Sequence, residues 1–183
     1  MLKIAVKISS MKGKKIMDKC KKMSFIVFLD VDGVLNTVKT CVHTPQGYTG
    51  IDDARVALLA KVIRKVGADG VVLTSTWKRM QEDEEDYVYL VKILDKYGIE
   101  ILGKTKEERG SKREEGVLTY LETHPEIVDF VIVDDQQYGF RYYSKLHDSF
   151  IDTRGLGIEN SIASSKTPSV AALLFIDAIN AYK

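Results

Sequence analysis

A continuous apolar run, Phe25-Ile26-Val27-Phe28-Leu29, ends abruptly at Asp30. Five consecutive apolar residues bounded by a polar stop predict a strand covered on both faces, the pattern of a parallel sheet. After the mixed Thr/Gly/Pro/His segment 36–50, which reads as a loop or small flap, Val56, Leu59, Ala60, Ile63 and Val66 recur at helical spacing. Asp52 or Asp53 is placed to cap that helix, and Gly67 and Gly70 bracket its end. Val71-Val72-Leu73 predicts a second buried strand, and a charged stretch from Lys78 to Asp86 leads into a helix carrying Val88, Val91, Ile93 and Leu94. Ile99–Leu102 predicts a third strand, Arg113–Thr123 a helix stopped by His124-Pro125, and Val128–Val133 a fourth strand. Residues 136–167 read as irregular except for a short strand near Phe150-Ile151, and a terminal helix runs from about Pro168 to Tyr182. Strand and helix in alternation imply an α/β fold, a Rossmann-like parallel sheet with helices on both faces.

Composition changes this picture little, and charge changes it at one end. The chain has 183 residues, enough for one domain and little more, with 45% hydrophobic and 29% charged residues. Its net charge of +1 conceals an asymmetry: residues 1–22 hold eight lysines against Asp18, so the remaining chain is mildly acidic. Residues 1–23 therefore read as a basic extension, disordered or preceding a later natural start, and 24–183 as the folded domain. An acidic core argues against a broad nucleic-acid-binding face on the domain itself. Cys20 and Cys41 have neither metal-like spacing nor a partner framework, which fits a reducing, cytoplasmic setting. No apolar run reaches the roughly 18 residues of a membrane span.

In parallel sheets, ligands bind at the carboxyl ends of the strands. Three predicted strands finish there in polar groups: Asp30 with Asp32, Thr74 with Ser75, and Asp134 with Asp135. A carboxylate at a strand end can attack phosphorus and carry an aspartyl-phosphate, which suits Asp30. An aspartate two residues on, Asp32, can protonate the leaving oxygen and later deprotonate water. Gly33 permits the backbone torsions of such a turn. Adjacent acids at Asp134-Asp135 repel unless a cation relieves them, and a hard divalent ion, Mg²⁺, would bridge Asp134 to Asp30 and a phosphate oxygen. Thr74 or Ser75 offers a hydroxyl and backbone N–H groups to phosphoryl oxygens. Lys112, opening the helix before the fourth strand, would neutralise charge in the transition state, with Arg113 as the alternative. Each feature alone also has a plain structural reading as a turn, a cap or a surface charge; their common edge and order make the joint case.

The stretches FLDVDGVLN, VVLTSTW, Lys112 before a helix, and VIVDD resemble the four motifs of the haloacid dehalogenase (HAD) superfamily. The likeness runs from about residue 25 to 135. It implies a HAD-type hydrolase that by default cleaves phosphoric monoesters, with Mg²⁺ held by Asp30, the Asp32 backbone carbonyl and Asp134, and Asp135 as a neighbouring candidate ligand. The variant TSTW, with KREEGVLTYLETHP and a later Gly-Leu-Gly, is similar to compact HAD domains of RNA-repair proteins.

Superfamily selectivity usually comes from cap domains inserted after the first or third motif, and this chain has room for neither. A capless site favours a phosphate carried on a larger partner: a polynucleotide end, a nucleotide or a phosphoprotein. Flap residues His43, Gln46 and Tyr48 are candidate substrate contacts, and Trp77 is either a base-stacking ring or partly buried scaffold. The competing expectations are a catalytically silent nucleic-acid-binding module and a phosphoprotein phosphatase.

Overall fold

Residues 25–106 and 112–182 are described by the computed structural model. The expected alternation is present: β1 (Phe25–Leu29), α1 (Asp53–Val66), β2 (Val71–Leu73), α2 (Glu85–Asp95), β3 (Ile101–Lys104), α3 (Arg113–Thr123), β4 (Asp129–Asp134), α4 (Ser144–Asp148), β5 (Phe150–Asp152), β6 (Ile162–Ala163) and α5 (Val170–Asn180). They form one six-stranded sheet in the order β3-β2-β1-β4-β5-β6. Every neighbouring pair is parallel except β5–β6, which is antiparallel. The expected parallel sheet is present, and β6 adds an antiparallel edge where the connection from β5 is too short for a crossover helix and the chain must turn back.

Side-chain alternation along the strands divides the interior into two layers. Val27 and Leu29 face a core shared with Val71, Leu73, Val131 and Val133, covered by α1, α2 and α5. Ile26 and Phe28 face the other way, into a core closed by Val117 and Tyr120 of α3, Phe140, and Leu146 of α4. Central strands buried on both sides are what the unbroken apolar run required. α1 starts where Asp52 accepts from the Ala54 N–H, and ends where Gly67 takes a left-handed conformation (φ 72°) that closes the last turn. Its Val56, Leu59, Val62 and Ile63 are buried, each contributing roughly 1.5–3 kcal/mol of transfer free energy.

Boundaries differ from expectation in instructive places. β3 lies two residues beyond the expected Ile99–Leu102, because Ile99 is drawn into the core before the strand begins. Between β4 and β6, the segment expected to be largely irregular holds a short 3-10 turn (Phe140–Tyr142) and the one-turn helix α4, besides β5 and β6. Turns of this length leave no periodic signature. The proposed boundary after residue 23 lies outside the described residues. Among the described residues, no helix is long and apolar enough to cross a membrane.

Strand order explains where chemistry gathers. From β1 the chain builds outward through β2 and β3, then returns to place β4 on the opposite side of β1. That reversal opens a crevice beyond the carboxyl ends of β1 and β4. Leu29 is in register with Val133, and the Asp30 N–H donates to the Val133 carbonyl at 3.0 Å, so Asp30 and Asp134 leave the sheet side by side. On the other flank, the Thr74 N–H donates to the Leu29 carbonyl at 3.0 Å.

Candidate active site

The crevice is an open cavity of about 510 Å³ whose lining includes Asp30, Asp32, Gly33, Arg113, Asp135 and Tyr138. Asp30 and Asp134 are almost fully buried, at 3% and 0% exposure. One guanidinium nitrogen of Arg113, Nη1, lies 2.7 Å from Asp30 Oδ1 and 2.5 Å from Asp134 Oδ2. The ring of Tyr138 supports that guanidinium from 4.4 Å. Burial holds the Asp30 carboxyl well above the ordinary carboxylate range, and Asp134 raises it further, while Arg113 opposes both. Asp134 is pushed up to about 6, again by burial first, against the pull of Arg113. Burial works against the charge on Arg113, but Asp134 and Asp30 outweigh it and raise its pKa. Two acids held this close in a low-dielectric pocket are tolerated because a cation lies between them.

Asp135 completes the acidic group: carboxylate oxygens of Asp30, Asp134 and Asp135 all lie within 4.8 Å of one another. Hard oxygen donors converging at that spacing fit a divalent cation such as Mg²⁺. Gly33 packs directly on this cluster. It has φ +78°, and a Cβ there would fall 2.5 Å from Asp135 Oδ2. The Gly33 carbonyl accepts from Thr153 Oγ1 at 2.9 Å and from the Gly157 N–H at 3.1 Å, so the loop after β5 braces the turn.

Asp32 lines the same crevice but lies outside the three-carboxylate group. Its carboxylate is exposed toward the flap and accepts from the Asn36 amide at 2.8 Å and from the Trp77 indole N–H at 3.1 Å. Trp77 is 4% exposed, which agrees with the scaffold reading, yet its one polar atom serves the site. Neither Asn36 nor the indole as a donor was an expectation from sequence. Asn36, four residues after Asp32 at the start of the flap, was the available signal.

Thr74 and Ser75 close β2 and differ in use. Ser75 Oγ accepts from the Trp77 N–H at 3.3 Å and so caps the 3-10 turn Thr76–Arg79. Thr74 Oγ1 is buried and is the one such side-chain atom, among the described residues, without a hydrogen-bond partner. An orphaned buried hydroxyl costs free energy unless a ligand satisfies it. It lines a smaller cavity shared with Lys78, Arg79, Lys112 and Arg113. Lys112 is exposed at the N-cap of α3, and Arg113, the first helical residue, is the side chain that reaches the carboxylates. Glu114 fixes that helix start, being buried and accepting from the Gly139 N–H at 3.3 Å.

The chain resembles, at 14% identity and a TM-score of 0.43 over 94% of its length and 92% of the other's, a Legionella pneumophila structure assigned to the HAD superfamily (subfamily III A) of hydrolases. No curated protein matches. Residues 26–161 match the family described as the HAD domain in Swiss Army Knife RNA repair proteins. Members of the HAD superfamily are hydrolases that generally use Mg²⁺. The match spans both flanking strands, the flap and the loop bracing Gly33, and the chain belongs to the HAD domain family found in RNA repair proteins.

Proposed function

We propose that the protein is a Mg²⁺-dependent phosphomonoester hydrolase acting on a nucleic-acid end or nucleotide, with Asp30 as nucleophile and Asp32 as general acid and base. The observation that carries this reading is the junction of Asp30, Asp134 and Asp135 at the ends of adjacent strands, within 4.8 Å. Asp30, Asp134 and Asp135 would hold the cation, with Asp32 contributing through its backbone carbonyl. Bound there, Mg²⁺ would neutralise phosphoryl oxygens and the acidic cluster.

The chain's own groups do the rest. Asp30 attacks phosphorus, the bond from phosphorus to the substrate alcohol breaks, and an aspartyl-phosphate forms on its carboxylate. Asp32, held by Asn36 and Trp77, gives its proton to the departing alcohol oxygen. It then takes a proton from water as the water oxygen attacks phosphorus, releasing inorganic phosphate and restoring Asp30. Thr74 Oγ1 and Lys112, with Ser75 alongside, bind phosphoryl oxygens at the basic small cavity, and the Gly33 turn meets them from the crevice. Arg113 neutralises Asp30 and Asp134 between turnovers.

Support for a nucleic-acid or nucleotide substrate comes from the open crevice and from Lys78, Arg79 and Lys112 beside the phosphate position. The test is phosphate release from a generic aryl phosphate and from 5′- and 3′-phosphorylated oligonucleotides, with and without Mg²⁺. Asp30→Asn should abolish release, by at least about 1,000-fold, since the nucleophile is lost. Undiminished turnover in that variant would refute the assignment.

A further inference from the structure

Asp32 stands between two cavities. On the sheet side is the crevice just described; on the flap side is a second cavity of about 450 Å³. Asp32, Thr49 and Thr76 line both, so a substrate can pass from one to the other across the acid's carboxylate. We infer that this second cavity receives the leaving group, and that the group it fits is an uncharged planar ring with hydrogen-bonding edges: the nucleobase of the nucleotide that carries the phosphate. The inference rests on the hydrolase reading for the position of the phosphate and adds what lies beyond it.

Direction comes first. A general acid must touch the oxygen it protonates, so the alcohol attached to that oxygen begins at Asp32. The phosphoryl oxygens are drawn the other way, to the cavity where Lys78, Arg79, Lys112 and Arg113 converge around Thr74. Asp32 borders two spaces: the crevice, where Asp30, Asp135 and Arg113 surround the reacting phosphoryl group, and the flap-side cavity, which leads away from it and is left for the leaving group.

Charge and shape then select the occupant. The residues lining the flap-side cavity include the acids Asp32, Glu84 and the buried, flap-bonded Asp86, with no lysine or arginine among the described lining residues. Such walls repel a second phosphate and favour a neutral group carrying N–H donors. Tyr48, 65% exposed, borders a cavity also lined by Gln46 and Met80, with the buried Trp77 in its wall. Aromatic and thioether surface with a few polar groups is the lining that stacks a heterocycle and reads its edge.

The wall is also held in place. Asp86 of α2, buried, accepts from Thr44 Oγ1 at 2.9 Å and from the Gln46 N–H at 3.1 Å. Tyr89 of the same helix accepts from the Ile51 N–H at 3.0 Å through its hydroxyl. The flap is therefore pinned at both its middle and its end, and a ring entering the cavity meets a surface already ordered.

The chain's single tryptophan, Trp77, lines this cavity and reports on it. In the full chain carrying Asp30→Asn, to prevent turnover, tryptophan emission is titrated with adenosine, adenosine 5′-monophosphate and ribose 5-phosphate. Adenosine and its monophosphate should change the emission saturably, ribose 5-phosphate should not, and adding Tyr48→Ala should weaken adenosine binding about tenfold. Tyr48 is exposed, so an unchanged melting temperature is expected and checks that the variant is folded. No response to adenosine, an equal response to ribose 5-phosphate, or indifference to Tyr48→Ala would overturn the inference. In a further arm, tighter binding of a phosphorylated oligonucleotide than of the monophosphate assigns the ring to a strand end, and equal binding assigns it to a free nucleotide. Phosphate release by the unmodified chain is scored separately. Turnover without ring binding sinks this subsite alone, whereas ring binding with no turnover of any phosphoester sinks the hydrolase reading.

Discussion

On the sheet side of the Asp30–Asp32 turn, buried carboxylates from β1 and β4 face a guanidinium; on the flap side, the carboxylate of Asp32 faces two uncharged N–H donors. The first arrangement stores like charge and depends on a cation, which a metal can replace or reinforce. The second fixes a direction while leaving the carboxylate in contact with solvent and substrate. Two aspartates separated by one residue are thereby suited to different tasks, through surroundings rather than through their own chemistry.

The comparison can be broken most severely at Asp134. Asp134→Asn should lower Mg²⁺-dependent phosphate release by roughly 100-fold or more, while the apparent Mg²⁺ requirement rises, measured as kcat against metal concentration. Arg113→Met comes next. It keeps much of the side-chain volume but removes the charge, and should destabilise the metal-free chain by roughly 2–3 kcal/mol, recoverable in part by Mg²⁺, as read by denaturant unfolding. Trp77→Phe retains the buried ring and deletes the N–H. About tenfold loss of kcat is expected for alkyl phosphates, whose leaving oxygen needs a proton, and a smaller loss for activated aryl phosphates. Equal losses for both would mean that the indole serves packing alone.

The smallest effect concerns protons. Asp134 binds its proton more tightly folded, at about 6, than at its ordinary 3.8, and Asp30 is shifted the same way. Their contribution to stability is therefore fully present below the ordinary carboxylate range and is lost as pH rises through about 6. Mg²⁺ should offset that loss only where the carboxylates are ionised. The gain in melting temperature on adding Mg²⁺ should thus be a few degrees larger at pH 8 than at pH 5, and the difference should vanish in Asp134→Asn.

Much of the sheet side was legible in the amino-acid order. An apolar run ending in Asp-Val-Asp-Gly marks both a buried strand and the acidic turn at its end, and a second run ending in Asp-Asp places its acids at the same edge once the strands are parallel. The choice between Lys112 and Arg113 was not legible. One is the N-cap and the next the first helical residue, and adjacent helix positions point about 100° apart, so an uncertainty of one residue in the helix start exchanges them. The flap side was hidden for another reason. The indole of Trp77 reaches Asp32 across 45 residues of sequence through a 3-10 turn, and the orientation of such a turn is decided by tertiary packing. Asp86 was hidden likewise: within a charged stretch nothing distinguishes the one acid that is buried and bonded to the flap.

The two bonds that the loop after β5 makes to the Gly33 carbonyl bear on how far this protein could be pared down. The motif-bearing portion up to Asp135 looks separable on paper, yet a fragment ending there would lack Thr153 and Gly157 and leave the Asp30–Gly33 turn without its clasp. Because β5, β6 and the core helix α5 lie beyond the same cut, shortening the carboxyl-terminal third should cost the sheet together with the turn, whereas splicing within the flap's exposed tip would spare that fastening.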